Sequence, residues 1–279
     1  MTFLFWNIKN RPLESVVANL AFRHEVDLII LAECMIPPGA MLPMLSSAGG
    51  PPFFLISTDG ARVSVYARFS DQFITRVGHD EGRAYTIWKM TLPERAETDI
   101  LLVTAHLPSK QRRIPASQHS DCFVLANSIR DAERQAGHER TVLVGDLNMN
   151  PFEDGVVDAR ALHGVMTQEL ATRGRSGKTG GRRVGGRRFP FFYNPMWRFF
   201  GDSGEHPPGT YYYRSSEPVT HFWNVFDQVL IRPGLLDSFD SEALTILDSD
   251  GSQSLLSKGG LPNSSRFSDH LPILFRLNL

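Results

Sequence analysis

The segment Thr141-Val142-Leu143-Val144-Gly145-Asp146-Leu147-Asn148 decides the fold. Thr141 to Val144 shows no polar alternation, so it reads as a strand buried on both faces. It delivers Asp146 and Asn148 to the point where a strand leaves its sheet, a preferred place for chemistry in layered α/β folds. Four more apolar runs adjoin short polar signatures in the same way. They are Trp6-Asn7, Leu31-Ala32-Glu33, Thr104-Ala105-His106 and Ser268-Asp269-His270.

Around these signatures the elements can be read off. Residues 2–8 are β-prone. Pro12 opens a helix in which Leu13, Val16, Val17, Leu20 and Ala21 recur at helical spacing. Asp27 to Leu31 is a second buried strand, and residues 37–52 form a loop around a short helix. Strands follow at 53–57, 62–67, 73–78, 84–92 and 99–106. Residues 117–135 form a helix with Cys122, Leu125, Ala126 and Ile129 on one face, ended by Gly137. Later strands cover Val225–Ile231 and Leu271–Leu277, with a Ser/Gly-rich loop at 248–265. No internal repeat or domain boundary is visible, so one domain is expected over residues 1–279.

The middle third differs in character. Residues 173–188 hold six arginines, one lysine and six glycines, with no acid. Such a segment cannot bury enough apolar surface to fold alone and is expected to be a mobile loop. Its arginines suit a polyanion, and Arg182, Arg183, Arg187 and Arg188 are assigned to substrate binding. Aromatic residues follow at 189–200, either as base-stacking platforms or as core.

Composition sets outer limits. The chain is 42% hydrophobic and 21% charged, the profile of an ordinary globular protein. Its net charge of -1 gives no global attraction to nucleic acid, so any attraction is local. No apolar stretch reaches the roughly 20 residues of a membrane span, and no secretory leader is evident, so a cytoplasmic location is expected. The two cysteines, Cys34 and Cys122, lack zinc spacing. Cys34 follows Glu33, yet a free cysteine usually behaves as a small buried hydrophobe.

The chemistry comes from the polar residues taken together. A strand-end carboxylate such as Glu33 is desolvated unless a cation meets it. Asn7 and Asp269 add oxygen ligands, and a small set of protein ligands favours magnesium, with manganese as a substitute. Asp146 and Asn148 fall on one face of an extended segment. One accepts a proton from water while the other orients that water or a phosphate oxygen. His270 contacts a phosphate or accepts a proton, and Asp227 fixes its tautomer. His106 is a second phosphate contact. Taken singly, each of these is more often a turn, cap or structural residue. Their joint occurrence in one order carries the assignment.

That set resembles the endonuclease/exonuclease/phosphatase superfamily, with its deoxyribonuclease I-like fold. Phe5-Trp6-Asn7, Leu31-Ala32-Glu33, Thr104-Ala105-His106-Leu107, Val144-Gly145-Asp146-Leu147-Asn148, Phe226-Asp227-Gln228-Val229 and Ser268-Asp269-His270-Leu271-Pro272 carry the resemblance over nearly the whole chain. It implies a four-layer α/β sandwich, two packed mixed β-sheets flanked by helices. It implies magnesium-dependent hydrolysis of a P–O bond, with Glu33 as the main metal ligand beside Asn7 and Asp269. Asp146 would activate water, Asn148 would position it, and His270 with Asp227 would stabilise the transition state. Thr-Ala-His-Leu-Pro at 104–108 looks more like the deoxyribonuclease and phosphatase branches than the apurinic endonucleases. A nuclease acting on DNA or RNA is the leading expectation. The alternatives are an enzyme acting on inositol phosphates, lipids or small nucleotides, and a catalytically silent nucleic-acid- or protein-binding module.

Overall fold

A computed structural model describes the chain apart from residues 48, 49, 59–61, 81, 83, 93, 94, 112, 174–179 and 203–205. Its described residues form two compact units. The first comprises Met1–Ile74, Phe199–Asp227 and Asp240–Leu279, and the second Thr75–Arg198 and Gln228–Phe239. Strands and helices are numbered below in chain order.

The first unit is built on a six-stranded mixed sheet. Its strands are β1 (Thr2–Asn7), β2 (Leu28–Ala32), β3 (Phe54–Thr58), β4 (Val63–Ala67), β16 (Phe239–Ile246) and β17 (Ile273–Leu277), in the order β16-β17-β1-β2-β4-β3. β1 lies between β2, to which it is parallel, and β17, to which it is antiparallel. This central position explains why every residue of β1 and β2 is buried and neither strand alternates. Phe3 stacks on its register partner Phe275 at 4.7 Å. Two helices, α1 (Glu14–Arg23) and α2 (Pro38–Ser47), connect the early strands, and α1 buries Val16, Val17, Leu20 and Ala21 as its spacing requires. A small hairpin, β13 (Tyr211–Tyr212) with β14 (Trp223–Asn224), belongs to the same unit.

The second unit is built on a seven-stranded mixed sheet. It contains β5 (Ile74–His79), β6 (Tyr85–Leu92), β7 (Arg95–His106), β8 (Thr141–Asp146), β9 (Gly164–Val165), β12 (Phe192–Tyr193) and β15 (Asp227–Ile231), in the order β5-β6-β7-β8-β15-β12-β9. β7 and β8 are parallel, in register from Leu101↔Thr141 to His106↔Asp146. The long helix α3 (Pro115–Ala136) packs Cys122, Leu125, Ala126 and Ile129 into a core with Ile87, Leu101, Val103 and Leu143. Gly137 ends it at φ +74, where a left-handed backbone favours glycine. Shorter helices α4 (Asp154–Val157) and α5 (Gln168–Thr172) follow. At the lower end of this sheet the guanidinium of Arg232, 1% exposed, meets the carboxylate of Glu133 at 2.8 Å and lies over the Phe192 ring at 3.8 Å.

The arginine-rich segment departs from expectation. Residues 174–179 lie outside the described residues. The remainder is not a loop but a hairpin, β10 (Gly181–Val184) with β11 (Arg187–Pro190). Gly185 and Gly186 turn it at φ +55 and +80, the pair of positive φ values that a two-residue type I′ turn requires. The aromatic stretch after it is largely core, with Phe191, Phe192 and Phe199 all buried. Edge strand β16 carries mixed burial and gives no sequence signal as strong as its neighbours. Among the described residues no helix is long and apolar enough to cross a membrane.

Candidate active site

The first unit collects Asn7, Glu33, Asp227, Asp269 and His270. Asn7 ends β1, and Glu33 follows the last residue of the parallel neighbour β2. Register therefore sets them side by side, and the Asn7 amide donates to Glu33 Oε1 at 3.3 Å. Glu33 has φ +48, a left-handed backbone that is strained for a residue with a side chain and that recurs at functional sites. Asp269 accepts an ion pair from Lys9 at 2.5 Å.

His270 is tied in from several directions. Its carbonyl accepts from the Trp6 indole at 2.8 Å, and its backbone N–H donates to Ser268 Oγ at 3.1 Å. The Ser268 hydroxyl in turn donates to the Asn7 carbonyl at 2.6 Å. Nδ1 of His270 lies 2.8 Å from Oδ2 of Asp227, a carboxylate with 0% exposure. An ionised carboxylate only accepts, so Nδ1 carries the proton and Nε2 is the basic nitrogen of the neutral ring. The Asp227 N–H donates to the Thr210 hydroxyl at 3.2 Å, and the Tyr211 ring lies 4.6 Å from the His270 ring.

The second unit collects His106, Asp146 and Asn148. His106 and Asp146 end the parallel strands β7 and β8 as register partners, with His106 Nε2 3.9 Å from Asp146 Oδ2. This close pairing needs Gly145: a Cβ there would stand 2.0 Å from the Ala105 carbonyl oxygen. The chain does not stay extended beyond Asp146, contrary to the one-face reading. Asn148 has φ +52, and its N–H donates to Asp146 Oδ1 at 2.9 Å. This Asx turn, not strand alternation, holds the two residues together. The Asn148 amide donates to the Leu107 carbonyl at 2.9 Å, so its orientation is fixed by the residue that follows β7.

Buried polar residues brace this loop. Gln118 at the start of α3 donates to the Asn148 carbonyl at 3.1 Å. Gln228 donates to the Met149 carbonyl at 2.5 Å and accepts from Asn194 at 2.7 Å. Gln228 stands next to Asp227 in the sequence and is 0% exposed. Lys9, Gln118, Asn194, Gln228 and Tyr211 were not singled out from sequence as site residues. Only Gln228, inside the Phe226–Val229 motif, carried a signal that could have found it.

The arginines assigned to substrate lie elsewhere in the second unit. Arg182 Nε donates to His163 Nε2 at 3.0 Å, Arg183 to the Gly186 carbonyl at 3.4 Å, and Arg188 pairs with Glu139 at 3.4 Å. The hairpin base is held by Arg232, which donates to the Pro190 carbonyl at 2.9 Å and bonds Glu133. Glu133 is fifteen residues after Gln118 on α3, or about 22 Å along the axis at 1.5 Å per residue. The hairpin base therefore sits at the opposite end of α3 from the Asn148 loop. Cys34 is a buried thiol, pushed up in pKa by its burial, as befits a packing residue.

The donor set of the first unit fits a hard divalent cation. Glu33 supplies a half-buried carboxylate, and Asn7 and Asp269 supply further oxygens within the same unit. Lys9 holds the Asp269 carboxylate in the structure, so that residue has a cationic partner already.

Comparison with known proteins identifies the family. The family model described as "Endonuclease/Exonuclease/phosphatase family" matches residues 4–270. No curated protein sequence matches the chain. Among solved structures, the 3′ phosphatase NExo from Neisseria, bound to a product DNA hairpin, is similar at 16% identity and a TM-score of 0.57, with 100% of each chain covered. An AP endonuclease from Archaeoglobus fulgidus is similar at 12% identity and a TM-score of 0.57, also with 100% of each covered. TDP2 from D. rerio, complexed with a single-strand DNA product, is similar at 14% identity and a TM-score of 0.53, covering 100% of this chain and 99% of that one. At these identities the likeness speaks for the fold, an α/β sandwich with two mixed sheets. The chain belongs to the endonuclease/exonuclease/phosphatase family and is a phosphoric ester hydrolase.

Proposed function

We propose that the protein is a magnesium-dependent nuclease that cleaves phosphodiester bonds in DNA or RNA in the cytoplasm. The observation that carries this reading is the His270–Asp227 pair at 2.8 Å, anchored to the same β1 end that presents Asn7 beside Glu33. A fully buried carboxylate at Nδ1 fixes the ring's orientation and stabilises its protonated form, the role such a partner plays in catalytic triads. Glu33, Asn7 and Asp269 hold the cation, which supplies charge neutralisation at a phosphate oxygen. Asp146 accepts the proton of the attacking water, and Asn148 orients that water. His106 donates to a phosphate oxygen, and His270, once Nε2 has taken a proton and the ring is an imidazolium held by Asp227, donates there as charge builds.

DNA is the substrate class named for the structurally similar phosphatase and TDP2, which supports nucleic acid over inositol phosphates, lipids or small nucleotides. The test is a panel of plasmid DNA, RNA, inositol phosphates, sphingomyelin and cyclic dinucleotides, assayed with magnesium, with manganese and with chelator. Nucleic-acid cleavage that chelator abolishes is the expected result. Turnover of another class alone would overturn the substrate, and binding without turnover would overturn the enzymatic role.

A further inference from the structure

Outside the candidate active site the second unit carries a cavity of about 590 Å³, formed where the β10–β11 hairpin lies beside α3. Its lining includes Arg130, Arg160, Arg182, Arg187 and Arg188 with the rings of Phe123 and Phe189. His106, Asp146 and Asn148 are not among its lining residues. We propose that this cavity is a second, non-catalytic site that grips the backbone of single-stranded nucleic acid. The inference rests on the nuclease reading for its biological sense but not for its physics.

Charge is the first argument. Five arginines face the cavity against one lining carboxylate, Asp158, on a protein whose net charge is -1. Asp158 is already held by His119 at 2.9 Å and Arg160 at 3.0 Å, and Glu139 pairs with Arg188 at 3.4 Å. Arg130 and Arg182 bond neutral acceptors instead. Arg130 donates to Asn127 Oδ1 at 2.9 Å and the Arg160 carbonyl at 2.8 Å. Arg182 donates to Nε2 of His163, whose ring is buried and neutral and whose Nδ1–H donates to the Pro190 carbonyl at 3.1 Å. These bonds orient the guanidinium groups without neutralising them. The Arg187 side chain makes no hydrogen bond or ion pair among the described residues, its backbone being paired with Val184 in the hairpin.

Shape is the second argument. A lone phosphate or small anion balances one or two of these cations. A chain of phosphates balances several at successive positions, which is how a polyanion is held. Phe123 is 44% exposed on the same face of α3 as Asn127 and Arg130, and Phe189 lies beneath the Arg130 guanidinium at 5.6 Å. A cationic groove with an exposed ring beside it is the arrangement that takes unstacked bases, hence a single strand rather than a duplex. The hairpin turn at Gly185-Gly186 holds Arg187 at the cavity edge.

The test measures affinity of the full chain for a fluorescent oligo-dT in chelator, across a salt series, by anisotropy. Arg187→Glu is expected to weaken binding about tenfold or more and to lower the slope of log K against log salt by about 0.7 or more. Arg187→Lys keeps the wild-type slope. Phe123→Ala is expected to weaken binding about fivefold with the slope unchanged, as lost stacking requires. Wild-type affinity and slope in both Arg187→Glu and Phe123→Ala would overturn the site. Whether the wild type hydrolyses bis(p-nitrophenyl) phosphate in magnesium is a separate measurement. Failure there overturns the hydrolytic role and leaves the binding result readable.

Discussion

Single residues carry the chemistry through their partners. His270 and Asp227 form one device, so His270→Ala should lower kcat about 10²–10⁴-fold. Asp227→Asn should lower kcat with little change in KM, since it removes the acceptor that fixes the tautomer. Steady-state kinetics on a short oligonucleotide reads both, and unchanged kcat in either would remove the pair from the reaction. Glycine 145 is equally specific: with 2.0 Å between its virtual Cβ and the Ala105 oxygen, Gly145→Ala should cost about 1–3 kcal/mol in urea denaturation. His163 offers a pH signature. Burial lowers its pKa from 6.5 to about 4, despite the raising effect of its bond to the Pro190 carbonyl. The folded state thus resists protonation that the unfolded chain accepts. Stability from this group is complete above pH 6.5, falls as pH drops from 6.5 toward 4, and levels off below. His24 and His138 are also lowered by burial and act in the same direction, so the comparison is wild type against His163→Phe. The variant should lose part of that acid slope in chemical denaturation at pH 7.5 and 5.5.

Elements decide which residues meet. The parallel pairings β1–β2 and β7–β8 each bring two strand ends to one edge, and each edge carries two polar residues of the candidate site. α3 joins the Asn148 loop at Gln118 to the foot of its sheet at Glu133, so its integrity bears on both ends. Gly137→Ala, which forces a side chain into a left-handed cap, should cost about 1–2 kcal/mol. Glu133→Ala should cost more, about 3–5 kcal/mol, because it strands the Arg232 charge in a buried place. Urea midpoints rank the two, and an Arg232-to-Glu133 loss smaller than the cap loss would contradict this account. The helices and central strands were legible because periodicity and apolar runs are local signals. The β10–β11 hairpin was not, because its composition is that of a solvated loop. Its strands are held by the Gly185-Gly186 turn and by Arg232 bonding the Pro190 carbonyl from a distant segment.

At the scale of the molecule, each unit is assembled from stretches far apart in the chain, which hides any boundary from a linear reading. The nuclease reading makes a further demand there. If both units serve one reaction, Glu33→Gln and Asp146→Asn should each abolish turnover, and the double variant should lose no more than either single, since groups that act as a unit are not additive. Additive losses would mean independent contributions. Chelator should reduce the wild type to the level of Glu33→Gln.

The sequence by itself determined the two kinds of sheet strand, the long helix and the polar residues at strand ends, because burial and alternation are written locally in residue type. The family also followed from it, since the signatures occur together in one order over nearly the whole chain. Tertiary structure alone decided that His106 pairs with Asp146, that an Asx turn rather than strand alternation couples Asp146 to Asn148, and that the arginines line a cavity beside α3. The pairing and the cavity depend on bonds and charges between residues tens of positions apart, and the turn is held by the Asn148 bond to Leu107 as well as by its own Asx contact, which no periodicity records.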